Sequence, residues 1–138
     1  MKISLIIPSF YPATVYGGPI FSTLHTCETL SDLDDVTMYV STTNANRDKK
    51  LDVELNKWQQ FKTNFFVKYY NTTFIHVISL PMFVGIWSDM KKSDIIQVQP
   101  VFNLSSLFAV IYSKILKKPI LISPRGSLCV WGQLLMKL

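Results

Sequence analysis

Short apolar runs alternate with segments of helical period along this chain, and that alternation leaves few folds open. Residues 2–7, Lys-Ile-Ser-Leu-Ile-Ile, form a mostly apolar run that ends at Pro8, the pattern of a buried strand. A loop over residues 9–18 carries Pro12, Gly17 and Gly18. Pro19 then stands at the first position of a helix, where its missing N–H does no harm. Ile20, Leu24 and Cys27 recur at helical spacing, with Leu30 closing the stripe. Residues 32–35 break the pattern, and residues 36–40 give a second strand. Residues 42–52 are polar and predict a loop, and residues 65–70 a third strand. Residues 72–92 predict a helix interrupted near Pro81 and Gly85. Residues 94–98 read as a fourth strand. Asn103 can cap a helix whose apolar stripe is Leu104, Leu107, Phe108, Ile111 and Ile115. Lys114, Lys117 and Lys118 suit the end of that helix, Pro119 stops it, and residues 120–123 give a fifth strand. Trp131, Leu134, Leu135 and Leu138 then fall on one face of a further helix. Strands alternating with helices predict an α/β domain built on a parallel sheet.

Composition narrows the class further. The chain has 138 residues, 49% hydrophobic and 17% charged, which excludes a disordered tail. The net charge of +5 fits either a phosphate-bearing partner or plain solubility. Cys27 and Cys129 are too few and too far apart for a disulfide framework or a zinc site, and they read as small core residues. Residues 1–8 make no signal peptide, because the apolar run is too short before Pro8. The apolar stretch 74–87 contains His76 and Pro81 and falls short of the ~20 residues of a membrane span. The expected location is therefore cytoplasmic. Residues 55–70 mix Lys57, Lys62 and Lys68 with Trp58, Phe61, Phe65 and Phe66. That stretch reads as a half-buried helix and strand, or as a surface resting peripherally on the inner face of an anionic membrane.

In parallel α/β sheets the ligand crevice lies at the carboxyl ends of the strands. That rule selects three loops, residues 9–18, 99–103 and 124–127. In the first, Gly17 and Gly18 let backbone approach a ligand closely before a helix N-terminus, or simply make a tight turn. The second ends at Asn103, a candidate substrate contact as well as a cap. In the third, Arg125 on a loop past a strand end could fork onto a phosphate or carboxylate, or pair with an acidic neighbour, and Gly126 would allow the turn. Asp32-Leu33-Asp34 matches the spacing of a metal-binding Asp-x-Asp but precedes a strand, at the wrong edge of the sheet. No Gly-x-Gly-x-x-Gly follows the first strand, and no Walker loop occurs. His25 and His76 sit among apolar residues and read as core or surface-edge groups.

These residues together resemble a known family. Ile7-Pro8-Ser9-Phe10-Tyr11-Pro12 followed by Tyr16-Gly17-Gly18-Pro19 is similar to the N-terminus of the retaining GT-B glycosyltransferases of family four. Thr42-Thr43-Asn44-Ala45-Asn46 with Leu51-Asp52-Val53, Asp94-Ile95-Ile96, and residues 122–128 with Trp131 extend the resemblance over the whole chain. It implies one Rossmann-like half of a two-domain GT-B fold, a parallel sheet with helices on both faces. Residues 1–138 would form the N-terminal, acceptor-side domain, incomplete at its C-terminal end and without the donor-binding domain. The implied reaction moves a sugar from a nucleotide-sugar to a saccharide or lipid-linked glycan acceptor with retention, as in surface polysaccharide biosynthesis. By resemblance, Gly17 and Gly18 would sit near the donor diphosphate, with Arg125 and Gly126 in the place where many relatives have His-Gly. No metal or other cofactor and no nucleic-acid partner is implied. The only glutamates are Glu28 and Glu54, so the Glu-x7-Glu of the donor domain is not in this chain. Turnover by the chain alone is therefore not expected. A non-catalytic glycan-binding half-domain, a half that works with a partner chain, and a gene remnant are the competing expectations.

Overall fold

The computed structural model describes residues 1–73 and 78–124. β1 (Lys2–Ile6) leads through a 3-10 turn (Thr14–Tyr16) into α1 (Gly18–Ser31) and β2 (Thr37–Thr43). A small hairpin follows, β3 (Ala45–Asn46) and β4 (Lys49–Lys50), then β5 (Trp58–Lys62) and β6 (Phe65–Tyr70). α2 (Leu80–Lys91), β7 (Ile95–Val98), α3 (Leu104–Leu116) and β8 (Ile120–Ile122) complete the described chain. The main sheet runs β5-β6-β2-β1-β7-β8. All its pairings are parallel except β5 with β6. The expected mixed α/β architecture is therefore present.

β1 is central because both its faces are buried. Leu5 pairs with Val40 on one side and Ile6 with Val98 on the other. The Leu5 face, with Ile3, Met38, Val40, Phe65 and Val67, packs against Leu24 and Cys27 of α1. The Ile6 face, with Ile96 and Val98, packs against Met82, Ile86 and Met90 of α2 and Ala109 of α3. Each fully buried aliphatic side chain contributes about 1.5–3 kcal/mol of transfer free energy, so both clusters are needed.

Several expectations are corrected. Among the described residues of the 72–92 stretch, the helix α2 runs without a break from Leu80 to Lys91. Pro81 lies in the first turn of α2, where a missing N–H needs no replacement, and the Ser79 hydroxyl caps that turn by accepting from Met82 N–H at 3.2 Å. Gly85 lies inside the helix because a Cβ there would come within 2.3 Å of the Tyr70 hydroxyl oxygen. The polar residues 42–52 are not all loop, since β2 runs on to Thr43 and the β3–β4 hairpin follows. The start of the 55–70 stretch is an edge strand, not a helix. Trp58 lies opposite Lys68 and Gln60 opposite Phe66, and this cross-strand pairing outweighs the weak helical pattern.

The largest correction concerns α3. It has the expected helical period, but of its apolar stripe only Phe108 packs against the core. Ser105, Ser106, Ala109 and Ser113 are buried, while Leu104, Leu107, Ile111 and Ile115 point outward. The serine hydroxyls bond locally: Ser106 Oγ donates to Pro100 O at 2.6 Å and Ser113 Oγ to Val110 O at 2.8 Å. Small side chains let α3 lie close to the sheet. It also lies beside α2 through Phe83 stacked on Phe108 at 4.6 Å and Trp87 edge-on to Tyr112 at 5.1 Å.

Between α2 and the sheet lies a buried polar cluster centred on Asp89 of α2. Asp89 accepts from Lys68 Nζ at 3.0 Å, from Ser41 Oγ at 2.9 Å and from Tyr70 OH at 2.5 Å. Burial pushes the Tyr70 phenol well above its ordinary range, and the Asp89 carboxylate adds to that. Among the described residues, no helix is long and apolar enough to cross a membrane.

Candidate functional site

Strand order reverses direction at β1. The chain moves from β1 to β2 on one side, then crosses back to β7 on the other. The connections leaving the carboxyl ends of β1 and β7 must diverge there, and a crevice opens between them. It has a volume of about 320 Å³, at the lower end for a small-ligand pocket. Ile7, Pro8 and Ser9 follow β1, Gln99 and Pro100 follow β7, and Tyr16, Pro19, Ile20 and Thr23 close the α1 side.

The polar groups of the crevice are neutral. Ser9, Thr23 and Gln99 are buried. Thr23 Oγ1 lies 2.8 Å from Pro19 O and 3.2 Å from Gln99 Oε1, which ties α1 to the β7 loop across the floor. Gln99 N–H donates to Ile6 O at 3.1 Å, so the loop stays in register with the sheet. The walls are apolar, from Ile7, Pro8, Pro19, Ile20 and Pro100. Such a lining can hold an uncharged, hydroxyl-bearing ring through apolar contact and a few directed hydrogen bonds.

Gly17 caps α1 at φ +75°, in the left-handed region that glycine adopts without strain. A Cβ at Gly17 or Gly18 would meet nothing within 4 Å, so the demand at Gly17 is conformational and not steric. This helix start offers fewer N–H groups than the sequence suggests. Pro19 has none, and Ile20 N–H donates to Gly17 O at 3.1 Å. The rim beyond Tyr16 is formed by the β3–β4 hairpin, where Arg47 N–H donates to the Tyr16 hydroxyl oxygen at 2.8 Å.

Of the residues singled out from sequence, Gly17 and Gly18 stand beside this crevice, adjoining Pro19. Asn103 is the cap of α3. Its Oδ1 accepts from Ser106 N–H at 2.9 Å, and its Nδ2 donates to Pro100 O at 2.8 Å and Ser106 Oγ at 3.0 Å. Those bonds fix the β7 loop and occupy the amide. Arg125, Gly126, Cys129 and the Trp131 to Leu138 stripe lie outside the described residues, as does His76. The Asp32 to Asp34 turn lies before β2, at the opposite edge of the sheet from the crevice, and Asp32 pairs with Lys62 at 2.6 Å. His25 is exposed beside Glu28, 3.4 Å away, and Cys27 is buried.

Thr23 is a polar crevice residue outside the three loops that the sequence selects, whereas Gln99 opens the selected loop 99–103. A polar residue three positions after Ile20, on the stripe facing the sheet, was the available signal for Thr23. In the 55–70 stretch each lysine meets a carboxylate: Lys57 with Glu54 at 2.8 Å, Lys62 with Asp32, and Lys68 with Asp89. Among the described residues, no group of three or more His, Cys, Asp or Glu could hold a metal ion. Compared with known proteins, the chain matches no protein-family model, and no curated protein matches it.

Proposed function

We propose that this chain is the acceptor-side, Rossmann-like domain of a retaining nucleotide-sugar-dependent glycosyltransferase. The observation that carries the proposal is the crevice between the carboxyl ends of β1 and β7, with Gly17 and Gly18 beside it and a neutral, hydrogen-bonding floor. In the proposed reaction an acceptor hydroxyl replaces the nucleoside diphosphate at the anomeric carbon, with retention. Ser9, Thr23 and Gln99 would orient the acceptor ring. Arg125, which follows Pro124 past the end of β8, would stabilise the charge of the leaving diphosphate, with Gly126 giving it room. The donor half of the site, and with it the choice of donor sugar, would come from a second domain.

Two measurements test this. Amide shifts of the chain titrated with a panel of neutral saccharides should move Ser9, Tyr16, Thr23 and Gln99 together. Shifts confined to other surfaces, or none at all, would remove the acceptor assignment. In an active enzyme that joins this domain to a donor domain, Arg125→Ala should lower kcat by about two orders of magnitude. An unchanged kcat would take away the role given to Arg125.

A second reading keeps the crevice and drops the catalysis. The described lining holds no charged side chain, which suits a saccharide-binding half without chemistry of its own. Saccharide binding together with an unchanged kcat in Arg125→Ala would favour that reading.

A further inference from the structure

Two polar side chains in the crevice between β1 and β7 keep hydrogen-bonding capacity that the protein does not use. Gln99 is 2% exposed, and its Oε1 lies 3.2 Å from Thr23 Oγ1. Its Nε2, which carries two N–H donors, has no partner among the described residues. Ser9 is 9% exposed, and its hydroxyl has no partner among them either. Buried polar groups in folded proteins are nearly always paired, so two such groups lining a cleft suit the polar atoms of a ligand.

The Thr23 contact decides which end of the amide is left over. With Oε1 held on the α1 side, Gln99 has N–H to give and needs an acceptor oxygen opposite it. Ser9 Oγ can donate or accept. Around these two groups the wall is apolar, from Ile7, Pro8, Pro19, Ile20 and Pro100. A bare hexose fits such a wall poorly. It carries hydroxyls on every side, and those set against the wall would lose water and gain no partner. A carboxylate, a phosphate or a free amine fits worse, since no charged side chain is in the described lining. An N-acetyl group has the matching pattern. Its carbonyl oxygen accepts from Gln99 Nε2, its N–H donates to Ser9 Oγ, and its methyl group meets the apolar wall.

We propose that the crevice is selective for an N-acetylated amino sugar. The acetamido group enters between Gln99 and Ser9, and Thr23 fixes the orientation of the Gln99 amide. Gln99 determines the specificity, and Thr23 is a positioning residue. The proposal rests on the saccharide reading of the crevice and narrows it to one class of acceptor.

The test is an amide-shift titration of the full chain with matched methyl glycosides: N-acetylglucosamine against glucose, and N-acetylgalactosamine against galactose. In at least one pair the N-acetyl sugar should move the amides of Ser9, Thr23 and Gln99. It should also bind about tenfold more tightly than its parent hexose. Gln99→Glu keeps an oxygen for Thr23 and removes both N–H donors, so it should cancel that preference. Thr23→Val should reduce the preference roughly threefold. Circular dichroism checks that each variant is folded, and the comparison of sugars on the unaltered chain does not depend on any variant. Equal affinity within both pairs overturns this proposal and leaves the saccharide reading standing. A preference that survives in folded Gln99→Glu overturns it as well. No shift at the crevice with any of the four sugars overturns both readings.

Discussion

The two faces of the sheet solve the same packing problem in opposite ways. Under α1 the aliphatic residues of the helix point inward, and Ile20, Leu24 and Cys27 are buried as their spacing suggests. Under α3 small residues point inward, while Leu104, Leu107, Ile111 and Ile115 point outward. The first face is held by interdigitated apolar side chains. The second combines apolar packing under α2 with the close approach of α3, ring contacts between the two helices and one buried ion pair. A helical period therefore says that a stripe exists, while the depth available against the sheet decides which side of the helix faces in.

The largest effect should come from the ion pair. Asp89→Ala leaves Lys68, itself largely buried, without its counter-charge, and should destabilise the fold by about 3–5 kcal/mol. Chemical denaturation measures this. A loss below about 1 kcal/mol would mean that the second face does not depend on the pair. Next comes the first face. Leu24→Ala removes buried aliphatic volume and should cost about 2–4 kcal/mol in the same assay. Ala109→Leu tests close approach from the other side. It forces a larger group between α3 and the sheet and should cost about 1–3 kcal/mol. The smallest effect belongs to the outward stripe. Leu107→Ser should change stability by no more than about 0.5 kcal/mol. A large loss there would mean that the outward aliphatics are buried after all, and the contrast between the faces would fail.

What could be read in the sequence follows the same division. β1, α1 and β2 declare themselves because most of their apolar residues, Phe21 apart, are drawn toward the core. The crevice loops after β1 and β7 were legible from topology alone, since diverging connections fix the place of a cleft whatever its lining. The edge strand β5 was not legible. Trp-Gln-Gln-Phe-Lys has no clean alternation, and its pairing with β6 is a long-range choice. Pro81 and Gly85 suggest a break to a local reading. In the fold, one sits in a first turn and the other under a tyrosine ring. Thr23 escaped because its role depends on Gln99, a residue 76 positions away.

The Arg47–Tyr16 bond has a consequence for how this protein can vary. The tyrosine hydroxyl holds the hairpin through a main-chain N–H, so the bond ignores the identity of the side chain at position 47. Proline, which lacks that N–H, is excluded, and the positive φ of 56° favours glycine or asparagine without requiring either. The path of the crevice rim and its chemistry are thus inherited separately. A lineage could change the character of the rim one substitution at a time and keep its shape.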